Sequence, residues 1–199
     1  MKNEGANKKI IIISGPSGSG EDSVIEGLSG LCVLDRVITT TTRSLRPGES
    51  QGKPYYFVSH EQFHEAIERG DFFEYTEQDL GNYYGVTRQE MDRVMASAHI
   101  AIWKIDYQGV ISAKDMLGDR MVSIFISAPL DVIEQRIRKR NVVTEEFVAA
   151  RLSHAKGWFE HKAIFDYEVE NKEGKLAETI AAVHAIITKE LMLDKKGDL

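Results

Sequence analysis

A run of apolar residues followed at once by a glycine-rich turn constrains the fold of this chain most strongly. Residues 9–14 contain four consecutive isoleucines, which is typical of a buried strand. Residues 15–20 (GPSGSG) follow directly, and residues 21–31 then carry apolar side chains at helical spacing. A strand, a glycine turn and a helix in this order begin a βαβ unit, so we expect a parallel sheet.

The rest of the chain continues the alternation of strands and helices. Further strands are expected at residues 99–105, 122–127 and 167–169, and helices at residues 60–68, 88–97, 130–139, 144–165 and 176–191. This alternation predicts an α/β fold whose parallel sheet is covered by helices on both faces. Residues 37–85 contain many Thr, Tyr and Phe and a turn at Pro47 and Gly48, and we expect them to form a small inserted lobe.

Composition limits the classes of function. The chain has 199 residues, which suit one domain, and its net charge of −6 disfavours a general nucleic-acid binder, which is usually basic. The single cysteine, Cys32, cannot form an internal disulfide, which suits a reducing compartment. No apolar run is long enough for a signal sequence or a membrane span. We therefore expect a cytoplasmic protein without nucleic-acid or membrane partners.

The glycine turn has the form of a phosphate-binding loop in which two residues are altered. It supplies the glycines of G-x-x-x-x-G-K-[ST] between a strand and a helix, where backbone N–H groups and the helix N-terminus hold phosphate. The motif continues with a lysine for the transferred phosphate and a hydroxyl for Mg²⁺. This chain has Glu21 and Asp22 instead, and such acids repel ATP by about 1 kcal/mol per charge pair in water. The loop alone is therefore equally compatible with a tight structural turn.

A second set of motifs follows the loop in a fixed order. Its members are Thr41-Thr-Arg43-Ser-Leu-Arg46-Pro-Gly-Glu49, Gly52-Lys-Pro-Tyr55-Tyr-Phe-Val58, Glu74, Gly81-Asn-Tyr-Tyr-Gly85, Ile105-Asp106-Tyr-Gln-Gly109, the arginines of residues 136–140, Arg151-Leu152 and Asn171. With nearly matching spacing from residue 9 to residue 191, the chain resembles the guanylate kinases, which are P-loop nucleoside monophosphate kinases. The resemblance implies a three-layer P-loop NTPase fold. It also implies a core (9–36, 89–135 and 151–193), a monophosphate-binding lobe (37–88) and a small lid (136–150).

The resemblance implies a role for each matching residue. The implied clamp on the acceptor phosphate consists of Arg43, Arg46, Tyr55 and Tyr84. The residues implied around the acceptor base are Thr39, Glu74, Val86 and Asp106, and Glu74 resembles the family carboxylate that accepts hydrogen bonds from guanine N1 and N2. The implied ATP-binding residues are Gly15, Pro16, Ser17, Gly18, Ser19, Gly20, Glu21, Asp22 and Asn171. The arginines implied at the ATP phosphates are Arg136, Arg140 and Arg151, with Mg²⁺ as cofactor.

Three further positions depart from the family pattern. Lys104 stands where the family usually has an acid, and Thr39 stands where a serine commonly touches the base. Val86 stands where Ser or Thr commonly bonds guanine O6, and one extra residue lies between Glu74 and Gly81. Losing a designed hydrogen bond to a base costs selectivity. Guanine is therefore implied by the family and not required by these residues.

The departures at Glu21, Asp22 and Lys104 exchange the signs of two neighbouring positions. Residues 104 and 106 are two apart on a strand and point to one face, at the carboxyl edge where open parallel sheets bind ligands. We hypothesise that Lys104 is catalytic and supplies the cation lost at Glu21. Glu21, Asp22 or Asp106 would then hold Mg²⁺, directly or through water. The alternative is a decayed site in which Lys104 merely pairs with the acids.

Two classes of function follow. The main expectation is an enzyme, a monomer or homodimer, that converts ATP and GMP or dGMP into ADP and the corresponding diphosphate. The alternative is a catalytically decayed guanylate-kinase-like binding module. The lone domain and the donor-side arginines, which such a module does not need, favour the enzyme. A kinase for another nucleoside monophosphate is a third possibility, because of Val86 and the inserted residue.

Overall fold

Nine strands and seven α-helices form the described part of the computed structural model, which comprises residues 9–78, 81–140 and 144–196. The strands are β1 (Ile10–Ser14), β2 (Leu34–Arg36), β3 (Thr39–Thr41), β4 (Tyr55–Phe57), β5 (Phe72–Gln78), β6 (Asn82–Thr87), β7 (Ile100–Trp103), β8 (Met121–Ser127) and β9 (Tyr167–Glu170). The helices are α1 (Glu21–Leu28), α2 (His60–Glu68), α3 (Arg88–Ala96), α4 (Tyr107–Leu117), α5 (Leu130–Arg140), α6 (Glu145–Glu160) and α7 (Leu176–Lys196).

The first sheet is parallel and has the strand order β2-β7-β1-β8-β9. Side chains alternate across a strand, so successive residues of its central strands are buried against opposite faces. Ile10 and Ile12 pack with Trp103 and residues of α3 and α4, whereas Ile11 and Ile13 pack with residues of α1 and α7. Helices therefore cover both faces of the sheet, which confirms the predicted three-layer α/β fold.

The second sheet has the order β4-β3-β6-β5 and lies within the segment predicted as the inserted lobe. Strands β3 and β4 are parallel, and the other two pairs are antiparallel. Phe63 of α2 is fully buried and stacks on Phe72 of β5, with 4.2 Å between ring centroids. This sheet presents Thr39, Glu74 and Tyr84 to a cavity shared with the parallel sheet.

The structure corrects several predicted elements. Strand β2 and helix α4 were not predicted, because β2 has only three residues and α4 mixes Gly109 and β-branched residues into its apolar pattern. Helix α1 ends at Leu28 and not at Leu31. Just after its end, the Ser29 hydroxyl donates a hydrogen bond to the Ile25 carbonyl. Helix α6 ends at Glu160, and a separate 3₁₀ turn covers part of the predicted remainder up to residue 165.

The carboxyl edge of the parallel sheet brings the glycine loop next to the residues that follow β7. The Ser14 hydroxyl, at the end of β1, donates a hydrogen bond to the Ile105 carbonyl. This contact holds Lys104 and Asp106 beside the start of α1.

Among the described residues, no helix combines the length and apolarity needed to span a bilayer.

Candidate active site

Glycines give the loop between β1 and α1 its shape. Gly18 and Gly20 have φ angles of 96° and 102°, a region that favours glycine. A Cβ atom on Gly15 would overlap the Ile126 carbonyl oxygen of β8. The Ser19 N–H closes a turn onto the Pro16 carbonyl at 2.9 Å. The loop is thus a tight backbone turn packed against β8, at the N-terminus of α1.

The Glu21 side chain turns back into this loop. Its Oε2 accepts hydrogen bonds from the Gly20 N–H and the Ser19 hydroxyl, both at 3.1 Å. Burial raises the pKa of Glu21, and the nearby Lys104 ammonium offsets this only in part. A carboxylate therefore occupies donors that a phosphate-binding loop offers to an anionic ligand.

Lys104 lies just beyond the end of β7 and reaches the two acids of α1. Its Nζ is 2.6 Å from Asp22 Oδ2 and 3.9 Å from Glu21 Oε1. The Lys104 side chain lines the same cavity as Gly15, Ser17 and Gly18. The structure therefore brings Lys104 to the mouth of the loop, the position that the charge exchange predicts.

Arg36 is a cation of this cluster that the sequence analysis missed. It lies on β2, and its Nη2 is 3.2 Å from Asp22 Oδ1, so that Asp22 bridges Arg36 and Lys104. Burial opposes ionisation of Asp22, but Lys104 and Arg36 outweigh it and lower the pKa of that carboxyl. The register pairs Arg36 with Ile102, two residues before Lys104, so both cations lie on the α1 face of the sheet. The proximity of Arg36 and Lys104 was not predicted, because strand β2 was not predicted.

One cavity of about 690 Å³ connects the loop with the second sheet. Predicted site residues that line it are Gly15, Ser17, Gly18, Glu21, Asp22, Thr39, Tyr55, Glu74, Tyr84, Lys104, Asp106 and Arg151. Residues predicted to bind ATP and residues predicted to bind the monophosphate thus surround one cavity. Its lining also includes Thr76, Glu77, Tyr107 and Trp158.

The predicted phosphate clamp borders an adjoining cavity of about 700 Å³. Arg43 and Arg46 line it together with Tyr55, Tyr84 and Lys104. Arg43 is held by Glu49 at 2.8 Å, and its guanidinium carbon lies 5.4 Å from the centroid of the Tyr55 ring. The predicted clamp residues and Lys104 therefore line the same cavity.

Glu74 lies on β5 and lines the first cavity. Burial, together with the negative charge of Asp106, raises the pKa of Glu74 to about 7. Val86 lies opposite Glu74 in the β5–β6 pair and is fully buried in the core. Asp106 also caps α4, where its Oδ1 accepts from the Gly109 N–H at 2.8 Å.

Four further residues are predicted to bind ATP. Arg151 borders the first cavity, and its guanidinium carbon lies 5.2 Å from the centroid of the Phe147 ring. Arg136 and Asn171 do not point into that cavity but bond to carbonyl groups of the loop. The fourth predicted residue, Arg140, ends α5, and its side chain lies outside the described residues, as do residues 141–143 of the predicted lid.

The carboxylates that line the cavity fit a magnesium ion that arrives bound to phosphate. Within the described ranges, no group of three or more His, Cys, Asp and Glu side chains could hold a metal by itself. Mg²⁺ in kinase sites uses one or two carboxylates and takes its other ligands from water and substrate phosphates. The Asp22 carboxylate at the mouth of the loop, and Asp106 in the same cavity, supply ligands of that type.

Known proteins share this sequence and fold. A family model described as guanylate kinase matches residues 7–190. The chain is 35% identical over 183 residues to guanylate kinase 2, chloroplastic/mitochondrial, of Oryza sativa subsp. japonica, which covers 91% of this chain but 64% of that protein. It is 32% identical over 194 residues to guanylate kinase of Cereibacter sphaeroides, with 96% of this chain and 90% of that protein covered.

A solved structure gives the same result at the level of the fold. The crystal structure of guanylate kinase from Anaplasma phagocytophilum aligns with a TM-score of 0.71 and 28% identity, covering 92% of this chain and 86% of that one. Because the family match spans nearly the whole chain and the parallel sheet, loop and cavity have the arrangement expected for it, this protein belongs to the guanylate kinase family.

Proposed function

We propose that this protein transfers the γ-phosphoryl group of ATP to GMP or dGMP, forming ADP and GDP or dGDP. The observation that carries this proposal is a pair of adjoining cavities, both lined by Lys104, of which one is bordered by the glycine loop and the other by Arg43 and Arg46. A phosphate oxygen of the monophosphate attacks the γ-phosphorus, and the bond from that phosphorus to the β–γ bridging oxygen breaks. Positioning and charge neutralisation are what such a reaction needs from a protein.

On the donor side, the loop would hold the ATP phosphates through its backbone N–H groups. Glu21 has to leave the loop donors that it now occupies, and Lys104 has to exchange Asp22 for phosphate. Mg²⁺, held by Asp22, Glu21 or Asp106, would neutralise phosphate charge. Arg151, and Arg140 from the proposed lid (136–150), would add positive charge.

On the acceptor side, Arg43, Arg46, Tyr55 and Tyr84 would clamp the monophosphate. Glu74, Thr39 and Asp106 would surround the base in the proposed lobe (37–88). Closure of lobe and lid over the core would exclude water, which otherwise hydrolyses ATP. We place this reaction in the cytoplasm, since a single cysteine suits a reducing compartment.

A binding module without catalysis is the second candidate, and one observation favours it. Glu21 fills loop donors, and Lys104 is paired with Asp22. An inactive module would keep these contacts in the presence of ATP. The Arg151 side chain at the cavity favours the kinase, because a module that binds a phosphorylated partner needs no donor-side cation.

The function is tested by a coupled assay of ADP formation with Mg-ATP and each common nucleoside monophosphate, accompanied by calorimetric titration of ATP. The proposal expects ATP binding and fastest turnover with GMP or dGMP. ATP binding with efficient turnover of another monophosphate would leave a kinase but replace its substrate, as Val86 and the residue inserted before Gly81 allow. Absence of both binding and turnover would favour the binding module.

The acceptor clamp gives a first prediction. Arg43→Ala or Arg46→Ala removes a charge-assisted contact to phosphate, so GMP binding is expected to weaken by about 1.5–3 kcal/mol. Calorimetric titration of GMP measures the effect. Arg69→Ala, which removes an exposed arginine of ion pairs at the end of α2, is the control and should leave GMP affinity unchanged. Unchanged affinity in both clamp variants would remove these residues from the acceptor site.

Base recognition gives a pH prediction. Guanine N1–H and N2–H need an ionised acceptor, and the pKa of Glu74 is raised to about 7. GMP affinity is therefore expected to rise as pH increases through about 7, as Glu74 loses its proton. In the ligand-free protein the sign is opposite: the folded state holds this proton more strongly, so stability falls as pH rises from about 4.5 to 7.

Glu74→Gln separates this effect from titration of the ligand itself. The phosphate of GMP has its second pKa at about 6 and titrates with either protein. The variant should lose the rise in affinity near pH 7 and lose more activity with GMP than with a pyrimidine monophosphate. An identical pH profile in both proteins would contradict the assignment of Glu74 to the base.

A further inference from the structure

The peptide group between Ser19 and Gly20 is held from outside the loop. The Ser19 carbonyl accepts hydrogen bonds from Asn171 Nδ2 at 2.7 Å and from Arg136 Nη1 at 3.1 Å. In a planar trans peptide the carbonyl and the N–H point in opposite directions. A carbonyl fixed towards Asn171 therefore turns the Gly20 N–H to the other side, where it meets the Glu21 carboxylate. That N–H is a donor of the phosphate loop.

Asn171 is built into the fold behind the loop. It follows β9, it is 3% exposed, and its own N–H donates to the Ser127 carbonyl at 2.7 Å. Its Oδ1 accepts from the Thr179 hydroxyl of α7 at 3.2 Å, which directs Nδ2 towards the loop. Gly20 lies flush against it, because a Cβ atom there would overlap Asn171 Nδ2. An amide buried in this way offers little surface to a nucleotide base.

The Arg136 guanidinium is engaged in the same way. Its Nη1 donates to the carbonyls of Gly18 and Ser19, at 3.2 and 3.1 Å. Its Nη2 donates to the Asn171 carbonyl at 3.1 Å and to Glu173 at 3.2 Å. The five N–H donors of an arginine lie in a rigid fork, so these contacts fix the direction of the whole group. That direction is towards loop carbonyls.

We propose that Asn171 and Arg136 are positioning residues, which hold the Gly18 and Ser19 carbonyls outward so that the Gly20 N–H faces the polyphosphate of the donor. They act through the loop, whereas the family resemblance implies that they contact ATP directly. The inference rests on the proposed function for its role in catalysis, but it concerns binding of any polyphosphate.

Inorganic tripolyphosphate separates the two roles, because it has phosphates and no base. Calorimetric titrations of Mg-ATP and Mg-tripolyphosphate are compared for wild type, Asn171→Leu and Arg136→Met. The positioning role predicts that each variant binds both ligands about tenfold or more weakly than wild type. The ratio of the two dissociation constants should stay unchanged. Loss confined to ATP, with tripolyphosphate binding intact, would show a contact with the nucleoside and overturn the proposal. Unchanged binding of both ligands would also overturn it.

Thr179 contacts the Asn171 side chain on the side away from the loop, and it offers a matched pair of variants. Thr179→Val removes the hydroxyl that orients the amide, so it should weaken the binding of both Mg-ATP and Mg-tripolyphosphate. Thr179→Ser keeps the hydroxyl and should bind both ligands like wild type. Melting temperatures show that each protein is folded. Equal ligand affinities in Thr179→Val and Thr179→Ser would contradict the role of the Thr179 hydroxyl in orienting Asn171.

A measurement without ligand keeps the test independent of kinase activity. In the ligand-free protein, the Gly20 amide of Asn171→Leu or Thr179→Val is expected to shift in the NMR spectrum and to exchange its hydrogen faster than in wild type. An unaltered Gly20 amide would overturn the proposal even if wild type bound no nucleotide. Failure of nucleotide binding in wild type, with an altered amide in the variant, would instead contradict only the proposed kinase function.

Discussion

Lys104→Met is expected to lower the turnover number for GDP formation by at least about 100-fold, the usual loss when one preorganised charge-stabilising donor is removed. The physical reason is that Lys104 is a cation that lines the cavity beside a loop whose usual lysine is replaced by Glu21. Steady-state assays with saturating Mg-ATP and GMP measure the effect, and the melting temperature reports on folding.

A matched control is available on the surface of α4. Lys114 pairs with Asp166 at 2.8 Å and is about as exposed as Lys104, but it lies outside both cavities. Lys114→Met should therefore retain turnover within a few-fold. A Lys104→Met variant as active as wild type would contradict the relocation of the catalytic cation, and would transfer that role to an arginine such as Arg151.

Restoring the family arrangement of charges is expected to restore activity. The triple variant Glu21→Lys, Asp22→Ser, Lys104→Asp returns a lysine and a hydroxyl to the loop and an acid to the end of β7. We expect its turnover number to exceed that of Lys104→Met by at least about tenfold. A tenfold change in rate corresponds to about 1.4 kcal/mol of activation free energy. Glu21→Lys added to Lys104→Met should recover less, because Asp22 still stands where the hydroxyl that binds Mg²⁺ belongs.

Strong non-additivity is part of this prediction. Residues that share one phosphate and one metal couple in a mutant cycle, so the three single changes should each be harmful while their combination is not. The same coupled assay measures all of them. A folded triple variant as inactive as Lys104→Met would show that the two arrangements of charge are not equivalent.

The fold was predictable from local pattern wherever the pattern was strong. Four isoleucines before a glycine turn predicted β1, and the apolar spacing of residues 60–68 predicted α2 with its observed bounds. Helix α4 was missed because its buried face includes Gly109 and Val110, which weaken the helical signal. Strand β2 was missed because three half-buried residues show no reliable alternation.

The site was predictable where it depends on strand direction. Lys104 follows a parallel strand, and the carboxyl ends of such strands lie together at one edge, so its proximity to the loop followed from topology. The turn of Glu21 into the loop was not predictable, because it depends on contacts with the Gly20 N–H and the Ser19 hydroxyl that form only in the folded loop. Arg36 was missed together with its strand.

The most direct measurement is a crystal structure of the protein with GMP, Mg²⁺ and a non-hydrolysable ATP analogue. The account predicts that Lys104 Nζ leaves Asp22 and lies within hydrogen-bond distance, about 2.7–3.2 Å, of an oxygen of the β- or γ-phosphate. It also predicts that the Glu21 carboxylate has left the Gly20 N–H. A complex in which the phosphates are bound while Lys104 remains paired with Asp22 and an arginine takes its place would contradict it.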